Sequence, residues 1–202
     1  MRVSKAAGLE QIKAELEELT ESPLYEYRAA NHYRPVPGEG DPDAKILFIG
    51  EAPGEKEAQS GRPFVGRAGK DLDALLERNG LNRRDVFITN IVKDRPPANR
   101  APSRTEIRLY TPFLVRQIEI IQPKLIATLG RFSMAFAMSF FDLPAKGKKI
   151  GEVHGNEFAA KSPFGRLTVF PLYHPAAVFY NRKLESQLEA DFSKLISLAK
   201  GS

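Results

Sequence analysis

Cysteine is absent from the 202-residue chain, and histidine occurs only three times. The absence of cysteine excludes disulfide bonds, thiolate metal sites and a cysteine nucleophile, and it is typical of a cytoplasmic protein. Long apolar runs are absent too: the sequence has no stretch of about 18 apolar residues that could span a membrane, and its start lacks the apolar core of a signal peptide. We therefore expect a cytoplasmic protein with no membrane partner.

What the chain does contain is typical of a globular protein. Hydrophobic residues make up 42% of the sequence, which at this length is enough for one well-buried core. We therefore expect residues 1–202 to form a single domain. The net charge of +5 favours a polyanionic partner, although the charge alone does not identify that partner.

Four apolar runs are typical of strands buried on both faces, and helical patterns separate them. The runs are KILFIG (45–50), VFITN (86–90), KLIATLG (124–130) and LTVFPLYH (167–174). Ser4 is a candidate N-cap for a helix over about residues 5–21, and Ser103 with Glu106 forms a capping box for a later helix. GEVHGNEF (151–158) is interpreted as a β-hairpin arm. The alternation predicts an α/β fold with a mainly parallel, four-stranded sheet.

Polar residues follow three of these predicted strands at their carboxyl ends, where ligands bind in parallel sheets. Gly50 and Glu51 follow the first strand, Asn90 ends the second, and His174 ends the fourth. Each has a structural alternative, because such glycines form turns, asparagines often terminate strands, and histidines often serve as structural hydrogen-bonding groups. Their shared position nevertheless predicts one cleft that contains an acid, an amide and an imidazole.

This set of groups matches the hydrogen-bonding edge of uracil. The amide of Asn90 can accept from N3–H and donate to O4, a pattern that cytosine does not match. A neutral His174 on the other side can donate to O2, where negative charge grows if the base leaves as an anion. Phe64 lies in the Gly/Pro-rich segment GRPFVG (61–66), and we expect it either to stack on the base or to belong to the core.

Three segments together resemble the motifs of the uracil-DNA glycosylase superfamily, most closely its bacterial and archaeal family 4. The segments are GEAPGEKEAQSGRPFVGRAG (50–69), TNIVKDRPPANR (89–100) and LYHPAAVFYNR (172–182). The resemblance implies a three-layer α/β/α sandwich and a monofunctional DNA repair enzyme. Such an enzyme hydrolyses the N-glycosidic bond of uracil in single- or double-stranded DNA and leaves an abasic site. We expect it to act as a monomer in a prokaryotic cytoplasm.

The resemblance also assigns site residues. The uracil-binding residues that it implies are Gly50, Glu51, Glu57, Phe64, Asn90 and His174. Of these, Glu51, Asn90 and His174 are expected to be catalytic: Asn90 reads the base, His174 stabilises the leaving anion, and Glu51 is the candidate for orienting water. Glu57 is expected to form a wall against the 5-methyl group of thymine.

A DNA-binding surface is expected around this cleft, because a base in a duplex must be flipped out before it can react. The expected contacts are Lys93, Arg95, Arg100, Val178 and Arg182. The segment 174–178 resembles the insertion loop of the family, so Val178 or its apolar neighbour is expected to fill the space that the flipped base leaves. The alternative for Val178 is packing on the last helix. Further cations expected on this face are Arg104, Arg108, Lys146, Lys148, Lys149 and Lys183.

The chain departs from family 4 at the four cysteines that hold an iron–sulfur cluster there. The matching positions are Leu19, Ser22, Asp94 and Tyr110. We therefore expect no metal and no cofactor. Apolar packing by Leu19 and Tyr110, together with a bond from Asp94 to an arginine of its own loop, is expected to replace the cluster.

Two further functions remain open alongside uracil excision. One is a module that binds uracil or DNA without catalysis, and the other is a glycosylase for another deaminated base, such as hypoxanthine or xanthine. Relatives that trap uracil-DNA covalently use a histidine in an inserted loop. Because residues 93–106 contain neither histidine nor an insertion, we expect turnover rather than capture.

Overall fold

A computed structural model describes residues 4–201 of the chain. The predicted domain, residues 1–202, thus includes four residues that lie outside the described range, namely 1–3 and 202. The helices are Lys5–Glu17 (α1), Tyr25–Ala30 (α2), Glu55–Ser60 (α3), Arg67–Arg78 (α4), Arg104–Ile121 (α5), Arg131–Phe140 (α6), Ile150–Val153 (α7), Ala177–Tyr180 (α8) and Leu184–Gly201 (α9). The strands are Glu39–Gly40 (β1), Ile46–Gly50 (β2), Phe87–Asn90 (β3), Leu125–Leu129 (β4), Phe158–Ser162 (β5) and Gly165–Leu172 (β6). In this range no helix is long and apolar enough to cross a membrane.

The sheet of the described residues has six strands in the order β1-β3-β2-β4-β6-β5. The four predicted strands form its centre and run parallel. The expectation of four strands in total is wrong, because β1 and β5 add one antiparallel strand at each edge. Both edge strands lack a continuous apolar run: β1 has only two residues, and β5 has mixed burial. The fold class is α/β, as expected.

The segment predicted as a hairpin arm also differs. Residues 150–153 form α7, and the strand that pairs with β6 begins at Phe158. A capping interaction accounts for the helical turn, because the Glu152 carboxylate accepts the main-chain N–H of Lys149 at 2.8 Å. The hairpin exists, but it joins β5 to β6.

Helix α1 begins as predicted and ends earlier. The Ser4 hydroxyl accepts the main-chain N–H of Ala7, so the predicted N-cap is confirmed. The helix ends at Glu17 rather than near residue 21. The guanidinium of Arg28 donates to the carbonyl groups of Leu16 and Glu17 at this end, where the last carbonyls of a helix lack intrahelical partners.

Both faces of the sheet are buried, as the alternation along β2 illustrates. Leu47 and Ile49 belong to one apolar cluster, which includes side chains of α1, α5 and α6. Ile46 and Phe48 belong to a second cluster, which includes side chains of α4 and α9. Strands enclosed in this way present only their ends to solvent, so the carboxyl ends of the parallel strands are where a site can form.

Candidate active site

A cavity of about 530 Å³ lies at the carboxyl ends of the parallel strands. Strands β2 and β3 are neighbours in register, with Gly50 beside Asn90, and His174 follows the end of β6. The side chains that the sequence predicted for one cleft do meet there. The lining includes Glu51, Glu57, Phe64, Asn90 and His174.

Asn90 presents an unused acceptor to this cavity. The residue is 2% exposed, and its Oδ1 is one of three buried side-chain polar atoms without a hydrogen-bond partner in residues 4–201. A Cβ atom at Gly50 would lie 2.2 Å from Oδ1 and 2.8 Å from the Phe64 ring, so the glycine makes room for both groups. A buried acceptor without a donor costs about 1–3 kcal/mol. The geometry therefore suits a ligand that brings its own N–H.

His174 is held as a neutral donor. Its Nδ1 accepts the main-chain N–H of Ala176 at 3.1 Å, so in the neutral imidazole the hydrogen is on Nε2. Burial lowers the pKa of His174 to about 4, and the ring is therefore uncharged at neutral pH. The Phe64 ring lies 5.8 Å from the imidazole at an interplanar angle of 30°. The cavity thus combines an aromatic surface with a neutral N–H donor.

Phe64 sits in a constrained turn that Glu57 stabilises. The main chain of Phe64 has φ of 50°, which is unusual for a residue with a side chain. Oε1 of Glu57 accepts the main-chain N–H groups of Val65 and Gly66 at 2.9 and 2.8 Å. Gly69 packs against the same turn so closely that a Cβ atom there would overlap the Phe64 carbonyl. Glu57 therefore fixes the loop that carries Phe64.

Glu51 is half-buried at the edge of the cavity. Burial raises the pKa of its carboxyl group, and the positive charge of Arg131 opposes that shift. The main-chain carbonyls of Gly50 and Glu51 accept from Ile91 and Val92, which fixes this segment to the continuation of β3. A carboxylate with a raised pKa is a better proton acceptor than an ordinary one, so Glu51 is suited to act as a base toward a water molecule.

Comparison with known proteins identifies the family. The profile of the Uracil DNA glycosylase superfamily matches residues 37–197, which is most of the chain. The chain belongs to this superfamily. The Type-4 uracil-DNA glycosylase of Sulfurisphaera tokodaii is 47% identical over 95% of this chain and 85% of its own length. The Type-4 uracil-DNA glycosylase of Saccharolobus solfataricus is 46% identical over 93% of this chain and 85% of its own length. That of Archaeoglobus fulgidus is 44% identical over 79% of this chain and 79% of its own length. The resemblance to family 4 is thus confirmed.

Three of the four residues at the expected cluster-ligand positions, namely Ser22, Asp94 and Tyr110, form a buried hydrogen-bond network through their side chains. Ser22 Oγ lies 2.7 Å from the Tyr110 hydroxyl, which donates to Asp94 at 2.6 Å. The partner arginine is Arg28 of α2, at 3.1 Å, so the expectation of an arginine from the Asp94 loop is wrong. Tyr110 also contributes more than apolar packing, because its hydroxyl joins the network. Arg28 additionally donates to the Leu19 carbonyl.

These residues do not fit an iron–sulfur cluster. None of them has a thiolate, and the polar side-chain atoms of Ser22, Asp94 and Tyr110 are already bonded to one another or to Arg28. Burial raises the pKa of Asp94, whereas the hydrogen bonds from Tyr110 and Arg28 lower it. All three of these side-chain hydrogen bonds are donated to the Asp94 carboxylate. In the described part of the chain, no group of acidic and histidine side chains is arranged to hold a metal ion.

Some of the predicted DNA-contact residues are buried or nearly buried, and the others are exposed. The expectation for Lys93 is wrong, because the residue is 0% exposed and its Nζ bonds to groups inside the protein. Arg95 exposes 9% of its side chain and donates to Asn99 and Tyr33. Arg100 and Arg182 are exposed, and Arg100 also lines the cavity. The remaining predicted cations are exposed as well: Arg104, Arg108, Lys146, Lys148, Lys149 and Lys183.

The short helix α8 presents a side chain that the sequence interpretation missed. Val178 packs against the apolar cluster that includes α9, which favours its structural alternative. The guanidinium of Arg67 lies 3.8 Å from the centre of the Phe179 ring. Tyr180, by contrast, is 91% exposed and lines the cavity. The sequence offered one indication of this residue: an aromatic side chain stands between the His174-Pro175 turn and the cationic residues Arg182 and Lys183.

Proposed function

We propose that the protein is a monofunctional uracil-DNA glycosylase that excises uracil from DNA and leaves an abasic site. The observation that carries this proposal is the unpartnered Oδ1 of Asn90 in a cavity with the neutral His174. Uracil supplies the missing N–H from N3, and O2 can accept from Nε2 of His174. The relatives at 44–47% identity are named Type-4 uracil-DNA glycosylases, which supports the same activity.

The chemical step depends on stabilising the base as it leaves. The electron pair of the N-glycosidic bond departs with N1 of uracil, and the negative charge spreads to O2. His174, which is partly buried, donates to this oxygen, and such a bond is stronger away from bulk water. Water adds to C1′ of the sugar and loses a proton to Glu51, whose raised pKa suits this role. Phe64 supports the plane of the base.

Selectivity against thymine comes from the wall beside Phe64. Glu57 lines the cavity and is tied to the loop at residues 65 and 66. A carboxylate held in this way cannot swing aside for a 5-methyl group. We include Glu57 in the uracil-binding set on this ground, together with the main chain of Gly50 and Glu51.

The DNA-binding face surrounds the mouth of the cavity. Arg182 supplies exposed positive charge for phosphate groups. Arg100 is also exposed, with its guanidinium bonded to the Glu106 carboxylate, and Arg95 donates to Asn99 in the same loop. Tyr180 is suited to stack on a base next to the flipped uracil, whereas Val178 was expected to fill the space that the flipped base leaves. The protein acts on single- or double-stranded DNA as a monomer, with no metal or cofactor, in the cytoplasm of a prokaryote. The helices on both faces of the sheet within residues 4–201 support our proposal that the chain, residues 1–202, is one α/β/α domain.

The experiment compares oligonucleotides that carry one uracil, thymine, hypoxanthine or xanthine. They are incubated with protein in the presence of a chelator, and abasic sites are then cleaved with alkali. We expect cleavage at uracil alone, with turnover when DNA exceeds protein. Tight binding to uracil-DNA without cleavage would support a binding module instead, and preference for a deaminated purine would shift the substrate.

A further inference from the structure

Lys93 lies directly behind the base-reading end of β3. Its Nζ lies 2.7 Å from the Asn90 carbonyl oxygen, and 2.6 Å from both Thr89 Oγ1 and Gln117 Oε1. The residue is 0% exposed, and none of these three acceptors is a carboxylate. Lysine is almost never fully buried without an ionic partner, because desolvation of an ammonium group is costly. A lysine in this position therefore calls for a functional explanation.

The side chain connects three segments of the fold. Nε2 of Gln117 and the hydroxyl of Thr89 both donate to the Pro37 carbonyl, at 2.6 and 2.8 Å. The main-chain carbonyl of Lys93 accepts the N–H of Val36 at 2.7 Å. The amine thus joins the end of β3 to α5, and the segment that leads into β1 is held by Gln117, by Thr89 and by the main-chain carbonyl of Lys93.

The hydrogens available on Nζ suit this arrangement. The three acceptors match the three hydrogens of an ammonium group, which favours the protonated form. Burial favours the neutral form, because it lowers the pKa of Lys93 well below its usual value. A neutral amine still has two hydrogens to donate. The bond to the Asn90 carbonyl can therefore persist in either protonation state.

We propose that Lys93 is a positioning residue that fixes the main chain of Asn90 and thereby keeps its amide where uracil must bind. Oδ1 of Asn90 has no hydrogen-bond partner within residues 4–201, so its place depends on the main chain of Asn90 and on the space that the missing Cβ of Gly50 leaves. This inference rests on the proposed function of the same cavity. A displacement of about 1 Å at such a group can cost about 100-fold in rate.

A double-mutant cycle tests the proposal, with single-turnover uracil release measured at a temperature where each variant is folded by circular dichroism. Lys93→Met keeps the approximate length of the side chain and removes Nζ. We expect it to lower the rate about ten-fold or more in the wild-type background. In the Asn90→Ala background we expect a change of less than about two-fold, because the group that Lys93 positions is gone.

A purely structural lysine predicts the opposite pattern. Equal losses in the two backgrounds, or no loss in either, would overturn the positioning role while leaving uracil excision by the wild type intact. A wild type that releases no uracil overturns the proposed function and the positioning role together. The affinity for DNA without uracil and its salt dependence should stay at the wild-type values, because a residue with no exposure makes no phosphate contact.

Two further variants keep the test decisive. If Lys93→Met does not fold, Thr89→Val removes one of the three acceptors with little change in volume, and we expect a two- to five-fold loss, on the order of 0.4–1 kcal/mol, that again depends on Asn90. Asp94→Asn is the matched control. It alters the adjacent buried side chain, whose partners Arg28 and Tyr110 lie in the other network. Its melting temperature should fall while the rate stays within about two-fold of the wild type.

Discussion

The buried polar residues Asn90 and Asp94 are four residues apart in the sequence, and they differ in whether their side-chain oxygens have hydrogen-bond partners. Around Asp94, the carboxylate accepts from the Arg28 guanidinium and from the Tyr110 hydroxyl, which in turn is hydrogen-bonded to the Ser22 hydroxyl. Around Asn90, a side-chain acceptor that is equally inaccessible has no partner in the described residues. The side chains around Asp94 therefore have no free acceptor for a ligand, whereas Asn90 has one.

The contrast separates a structural role from a binding role. Completed polar networks specify and rigidify a fold, and they leave nothing for a ligand to bind. An unmet acceptor lowers stability by about 1–3 kcal/mol, and this cost is recovered only when a donor arrives. Variants on the Asp94 side should therefore change stability, and variants on the Asn90 side should change catalysis.

The largest expected effect is on the Asp94 side. Asp94→Ala leaves the buried Arg28 guanidinium without its carboxylate, so the free energy of unfolding should fall by about 3–5 kcal/mol. Chemical denaturation followed by circular dichroism measures the change. Ser22→Ala is the milder control and should cost about 1 kcal/mol. An unchanged unfolding midpoint for Asp94→Ala would remove the basis of the comparison, as would a large loss of activity in the folded variant.

The next effect is catalytic. His174→Ala removes the donor to the developing negative charge and should lower single-turnover uracil release about 100-fold or more. DNA affinity should change little. His32→Ala is the control, because this histidine is exposed and does not line the cavity. A rate near that of the wild type in His174→Ala would contradict the assigned role.

Gly50→Ala sharpens the comparison by filling the space that Asn90 uses. The added methyl group would lie 2.2 Å from Oδ1 and would push Asn90 or Phe64 aside. We expect uracil release to fall about ten-fold, with only a modest change in melting temperature. Gly151→Ala, where the nearest atom is 3.4 Å away, is the control. Equal rates in the two variants would show that the close approach is unimportant.

The smallest expected effect concerns Tyr180. Loss of one stacked base in Tyr180→Ala should weaken binding to uracil-DNA about five- to ten-fold. Because the sequence contains no tryptophan, Tyr180→Trp introduces a single fluorescent reporter. Its emission should change when DNA binds. Phe140→Trp, at an exposed aromatic residue outside the cavity lining, should report no change.

Much of the sheet centre and of the pocket could be predicted from the sequence. Strands buried on both faces must be continuously apolar, so β2, β3, β4 and β6 are visible as runs, and their carboxyl ends locate Asn90 and His174. The edge strands are not visible in this way, because β1 has two residues and β5 has mixed burial.

The missed features depend on partners that are distant in the sequence. The burial of Lys93 requires acceptors on Thr89 and Gln117, and composition cannot show that these groups converge. Likewise, Arg28 precedes Asp94 by 66 residues, so the pairing follows from how α2 packs. The family pattern indicated that something must replace four cysteines, but it could not indicate an arginine outside the four matching positions.

The Arg28–Asp94–Tyr110–Ser22 network has a practical consequence for how the protein is made. Every atom that joins the N-terminal helices to the loop after β3 in this network is supplied by translation. The core at this place is complete once the chain has folded, so maturation there needs no delivery of iron or sulfide. The same bonds contain no sulfur for an oxidant to attack, and this part of the protein should mature equally well under aerobic and iron-poor growth.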